Sequence, residues 1–176
     1  EGMLGSGANL SPVVVRGVLP DEELIASNPD RFMQIGTLKN LEPDSYRIIL
    51  GRILALNLGV RFGDQINLLV PQIEGGRLRP RLHRFVVSGI FEAGIQDHDA
   101  NLAFAHLAEV SQLKGLSNQV EGLAIRVRDP LTVARLKGFR EIVANEGVIY
   151  SDWTLENTNY FRAIRTEKIM MTLILM

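Results

Sequence analysis

The chain of 176 residues is 46% hydrophobic and 22% charged, carries a formal net charge of -1 and contains no cysteine. A chain of this length and composition buries a sizeable core in one or two lobes, which excludes a disordered segment and a coiled coil. The near-neutral charge gives no general reason to expect a nucleic-acid partner. The missing thiols exclude a disulfide framework and a thiolate zinc site while leaving the compartment open.

The chain starts at Glu1 with no basic region ahead of an apolar stretch, so it reads as an excised piece without a signal peptide. Glu1 to Leu4 and Pro12 to Val18 read as short strands around a small-residue connection. Gly5-Ser6-Gly7 lacks the strand-to-helix setting of a phosphate-cradling loop, because it leads into Pro12 and a strand. Pro20, Asp21, Glu22 and Glu23 suit the first turn of a short helix, and Asn28-Pro29-Asp30 and Glu42-Pro43-Asp44 mark loops.

The stretch from Ile48 to Phe91 combines the most local signals. Ile48-Ile49-Leu50 predicts a strand ending at Gly51, Arg52 to Leu58 a helix, and Gly59 its left-handed cap. Gly63-Asp64 turns the chain into a strand from Gln65 to Val70, which Pro71 is expected to stop. A polar loop, Gln72 to Pro80, leads to a second strand, Leu82 to Phe91, with Phe85, Val87 and Phe91 on one face. The pair predicts a long β-hairpin whose tip is QIEGGRLRP.

After Phe91, EAGIQDHDANLAF reads as a loop returning as a strand near Leu102 to Phe104. Asp97, His98, Asp99 and His106 are the only ligand-like cluster, but neighbours on an extended segment point to opposite faces, so no metal site is assigned. His106 to Lys114 predicts a helix closed by Gly115. Gly122 to Tyr150 reads as a βαβ unit, with Leu123, Ile125 and Val127 on a half-buried strand and Val133, Leu136, Phe139 and Val143 on one helical face. Asp152 caps a last helix bearing Trp153, Tyr160, Phe161 and Ile164, then a charged collar of Arg162, Arg165, Glu167 and Lys168, then the apolar run Ile169 to Met176. That ending reads as a membrane entrance, with Trp153, Phe161, Arg165, Glu167 and Lys168 as membrane-proximal residues. The expected fold class is α+β. A discontinuous α/β lobe takes residues 1–32 and 119–152, a hairpin lobe takes 33–118, and the stem of a transmembrane helix takes 153–176.

LEPDSYRIILG (Leu41 to Gly51), LALNLGVRFGDQINLLVP (Leu54 to Pro71), GIFEAGIQDHDANLAF (Gly89 to Phe104) and DWTLENTNYFRAIRTEKIMM (Asp152 to Met171) together resemble the periplasmic domain of the LolC/LolE permeases of the lipoprotein-releasing ABC transporter. The C-terminal block is the most specific part. The resemblance implies a domain between transmembrane helices in the inner membrane, facing the periplasm. It also implies a second permease subunit, cytoplasmic ATPase subunits, a lipoprotein substrate and a LolA-like periplasmic chaperone. No cofactor, metal or catalytic residue is implied. In LolC-type members a proline-containing hook at the hairpin tip engages the chaperone, and Pro80 resembles its last proline, although this tip is shorter and lacks a second proline within Gln72 to Arg79. Arg77, Arg79, Arg81 and Arg84 lie in a stretch without acids, with Leu78 and Pro80 between them, so these six are the expected partner-binding residues. The alternative is a MacB-like efflux permease domain that couples ATP hydrolysis to motion. An independent hydrolase has little support, since no activated nucleophile is recognised.

Overall fold

In the computed structural model, which describes residues 1–26, 29–74, 77–116, 119–127 and 151–175, Ile48, Ile49 and Leu50 are all fully buried. They belong to β4 (Arg47–Gly51), and a strand buried on both faces is why the sequence shows a continuous apolar run instead of alternation. The chain divides into two units, Glu1–Ile125 and Arg126–Met176. The first contains, in order, β1 (Gly2–Ser6), β2 (Asn9–Val18), α1 (Pro20–Ala26), β3 (Met33–Ile35), β4, α2 (Arg52–Leu58), β5 (Gln65–Glu74), β6 (Arg77–Phe91), α3 (Gln96–Asn101), β7 (Leu102–His106) and α4 (Leu107–Leu113). The mixed α+β class is as the sequence suggested.

The strands run in the order β3-β6-β4-β7-β2-β1-β5, and β5 pairs back onto β6. Six of them therefore close into a barrel, with β3 attached outside the ring on the last residues of β6. β4 with β6 and β2 with β7 are parallel, and the remaining barrel pairs are antiparallel. Leu4, Val13, Ile48, Leu50, Ile66, Leu68, Phe85, Val87, Ala103 and Ala105 share one core with Leu54, Ala55 and Leu58 of α2 and with Val110 and Leu113 of α4. A second core covers the outer side of β4 and β7, where Ile49, Phe91 and Phe104 pack with Val18, Leu38 and Leu41. Gly59 takes a left-handed φ of 69° at the end of α2, as its position predicts.

Several local expectations are corrected. Phe91 leaves the face of Phe85 and Val87, because the β4–β6 register slips between Ile48 and Ile49 and the bulge at Ser88 reverses the alternation. The run after Phe91 is not all loop. Gln96–Asn101 is helical, and Asp99 is buried with its carboxylate accepting the Ala93 amide at 2.7 Å and the Gly94 amide at 3.1 Å. That carboxylate braces the turn entering the helix. Gly7 closes a tight β1–β2 hairpin at a φ of 58°, which accounts for the Gly5-Ser6-Gly7 run.

Of the expected βαβ unit, residues 128–150 lie outside the described residues. The part that is described, Gly122–Val127, is irregular and not a strand, with Leu123 85% exposed, because no strand pairs with it among the described residues. β1 and β2 pair within the barrel instead, next to β5 and β7. The proposed division into lobes depends on 128–150 and so also lies outside the described residues.

In the second unit, Asp152 caps α5 (Trp153–Glu156) by accepting the Thr154 amide at 2.9 Å and the Leu155 amide at 3.0 Å. The expected single helix is interrupted at Asn157 (φ −110°, ψ 34°), after which α6 runs Thr158–Ile174.

Candidate partner-binding arm

β5 and β6 pair without a register shift from Gln65↔Val86 to Glu74↔Arg77. β1 follows β5 only to Leu69, and β4 joins β6 only at Val86. Beyond those limits the two strands continue as a two-stranded arm. The long hairpin is thus present, but the tip is shorter than expected: Gln72–Glu74 and Arg77–Pro80 are strand, and Pro71 lies within β5 opposite Pro80. Two facing prolines cannot exchange ladder hydrogen bonds. They occupy a non-hydrogen-bonded site, where a missing amide hydrogen leaves the ladder intact.

The register also divides the expected site residues. Alternation gives Arg77, Arg79 and Arg81 one parity along β6, and Leu78, Pro80 and Arg84 the other. Arg84 therefore stands at the opposite parity from Arg81 along the strand. Arg84, Pro80 and the 64%-exposed Leu82 share a face of the arm, with Leu69 and Pro71 as their partners or near neighbours on β5. On the other face, burial first and the Arg81 guanidinium second hold His83 below its ordinary value of 6.5, and its Nε2 has no hydrogen-bond partner among the described residues.

The arm's root is held by residues the sequence reading missed. Val86 donates its amide to the Tyr46 carbonyl at 2.9 Å, and Val87 exchanges bonds with Gly63 and Asp64. Tyr46 has a left-handed φ of 49°, and its ring meets Phe85 edge-on at 5.6 Å. Its own amide is accepted by Oε1 of Glu109 at 3.2 Å, and Glu109 is fully buried in α4. The other carboxylate oxygen lies 3.5 Å from His106 Nδ1, while that nitrogen also caps α4 by accepting the Ala108 amide at 3.2 Å. The available signal was the spacing of Glu109 four residues before Leu113, which puts the acid on the buried face of α4.

Asp97, His98 and His106 do not converge with Asp99, and no group of three metal-ligating side chains comes together among the described residues. In α6, Arg165, Glu167 and Lys168 are exposed, Phe161 is half-buried beside Tyr160, and Met170, Met171, Leu173 and Ile174 are exposed. Trp153 opens α5. Among the described residues no helix is long and apolar enough to cross a membrane.

The fold defines a class of closed barrel with a two-stranded arm, in which one long strand is both wall and projection. No protein-family model matches the chain. Among curated proteins it is similar to LolC, the lipoprotein-releasing system transmembrane protein, of Xylella fastidiosa strain Temecula1, 30% identical over 171 residues, 96% of this chain and 41% of the relative. LolC of Neisseria meningitidis serogroup B is 31% identical over 178 residues, 99% of this chain and 43% of the relative. LolC of Haemophilus influenzae is 27% identical over 161 residues, 88% of this chain and 38% of the relative. The chain spans about two fifths of the length of the curated relatives it matches. The chain is therefore similar to a region of the LolC lipoprotein-release permeases, at 30–32% identity over nearly all of its length.

Proposed function

We propose that this chain forms the periplasmic part of an inner-membrane ABC transporter permease that releases lipoproteins and passes them to a LolA-like periplasmic chaperone. It is a non-catalytic transporter component in this reading. ATP hydrolysis belongs to separate cytoplasmic subunits, and a second permease subunit completes the membrane part. Residues 153–176 form the stem of a transmembrane helix, with Trp153, Phe161, Arg165, Glu167 and Lys168 near the membrane surface. The arm formed by Gln72 to Arg84 binds the chaperone, with Leu78 and Pro80 in apolar contact and Arg77, Arg79, Arg81 and Arg84 steering an acidic surface.

The observation that carries this reading is the arm itself. Its strands keep pairing with each other after β1 and β4 have ended, and Pro71, Pro80, Arg81, Leu82 and Arg84 on it are exposed. Titration with the chaperone tests it. Leu78→Ala combined with Arg84→Ala leaves both prolines in place and should weaken binding by about tenfold or more, with a melting temperature close to the parent's. Raised salt should slow association. Equal affinity of parent and double variant would move the contact off the arm, and no binding by either would fit the efflux reading or a LolE-like partner subunit.

A further inference from the structure

The barrel has no free edge, and both edges of the arm are open among the described residues. In an antiparallel ladder the non-hydrogen-bonded residues turn their N–H and C=O groups away from the partner. β1 meets β5 through Leu69 and Asn67, and Val86 donates outward to Tyr46, so the outward set is the odd positions of β5 and the even positions of β6. Pro71 and Pro80 both belong to that set, face each other across the ladder, and are exposed. Each therefore removes a donor that an added strand would need.

We propose that Pro71 and Pro80 are a matched block against strand addition, keeping a second copy of this chain from pairing edge to edge with the arm and leaving the arm's faces as its contact surfaces. The two prolines do not contribute equally. Above the end of β1, β5 has outward positions only at 71 and 73, whereas β6 presents 78, 80, 82 and 84 in succession before β4 takes over at Val86. Pro80 interrupts the longer edge, and Leu82, 64% exposed on that stretch, is apolar surface that an added strand would cover. Pro80 carries most of the block. The inference holds whatever binds the arm, because it concerns the backbone edges and not the chaperone.

Pro80→Thr restores the amide while reducing apolar surface, so any association it gains cannot come from added stickiness. Threonine also suits an exposed strand, and the monomer should melt close to the parent. In sedimentation velocity over a concentration series, Pro80→Thr should self-associate at least about tenfold more tightly than the parent, and Pro71→Thr less than Pro80→Thr. The amide of residue 80 should become protected from hydrogen exchange as the associated species forms. Sedimentation of Pro80→Thr that matches the parent throughout would overturn the proposal, as would association that leaves this amide exchanging freely. If the threonine variant does not fold, Pro80→Val is measured by the same two readings and judged in the same way.

Discussion

Glu109 is the residue whose replacement most directly tests how the arm is anchored. It is fully buried, and its Oε1 accepts the Tyr46 amide at 3.2 Å. Tyr46 in turn accepts the Val86 amide at 2.9 Å while holding a φ of 49° that a non-glycine residue rarely adopts. Glu109→Ala leaves the part-buried Tyr46 amide without its acceptor, at about 1–3 kcal/mol. The emptied side-chain volume adds about 1–2 kcal/mol, for a combined loss of about 2–5 kcal/mol. Glu109→Gln keeps a carbonyl oxygen at the same place and should cost no more than about 1 kcal/mol. Urea unfolding followed by far-UV circular dichroism gives the stabilities, and hydrogen exchange at Val86 reports whether the root of the arm loosens. Glutamine as damaging as alanine would show that the charge, and not the acceptor, fixes Tyr46, and would refute the reasoning.

His83 should make the arm acid-sensitive: its value lies below 6.5 in the fold, so the unfolded chain takes up the proton first, and stability present above about pH 6.5 is lost as pH falls through the folded value. His83→Gln should therefore shrink the drop in melting temperature between about pH 7 and about pH 5, and an unchanged drop would show that other groups cause it. Gly51→Ala should cost more than about 3 kcal/mol, because the added Cβ would sit 2.3 Å from the Asp99 carbonyl oxygen and 2.7 Å from its carbon, both backbone atoms. A melting temperature near the parent's would show that α3 can move aside. Asp152→Ala should cost α5 about 1 kcal/mol through the lost cap, read as faster amide exchange at Thr154 and Leu155 with barrel exchange unchanged.

What the sequence revealed about the fold was what local chemistry decides. Ile48-Ile49-Leu50, the helix formers of Arg52–Leu58 and the glycine at position 59 each carry their own signal, and their elements match the expected bounds closely. Pro71 was misread because a proline breaks a strand only if its amide faces the partner, and that parity appears only when Pro71 is seen opposite Pro80. Phe91 was misplaced for a related reason: one extra residue at Ser88 reverses the alternation, and no composition rule marks that bulge. For the candidate site, the arginines and Leu78 were visible as residues, but their division between two parities came from the register. Glu109 was hidden as an acid in a short helix whose burial depends on β2 and β7 packing against it.

β6 links these observations into one mechanical argument. Its 15 residues serve two structures, since the C-terminal part is gripped by β4 and by the two cores, and the N-terminal part has only β5 beside it. A free hairpin is at best marginally stable in water, so the arm draws its order from the half of β6 that the barrel already fixes. Closing the ring leaves no free edge within it apart from the short outer strand β3, which concentrates the hazard of edge pairing on the same arm. Keeping that arm paired and exposed requires both a rigid root, supplied by Tyr46 and Glu109, and edges that a neighbouring chain cannot extend, supplied at matched positions by Pro71 and Pro80. A partner that recognises the arm must then read side chains on its faces, where alternate residues differ sharply in polarity, and so can discriminate in a way that backbone pairing alone does not.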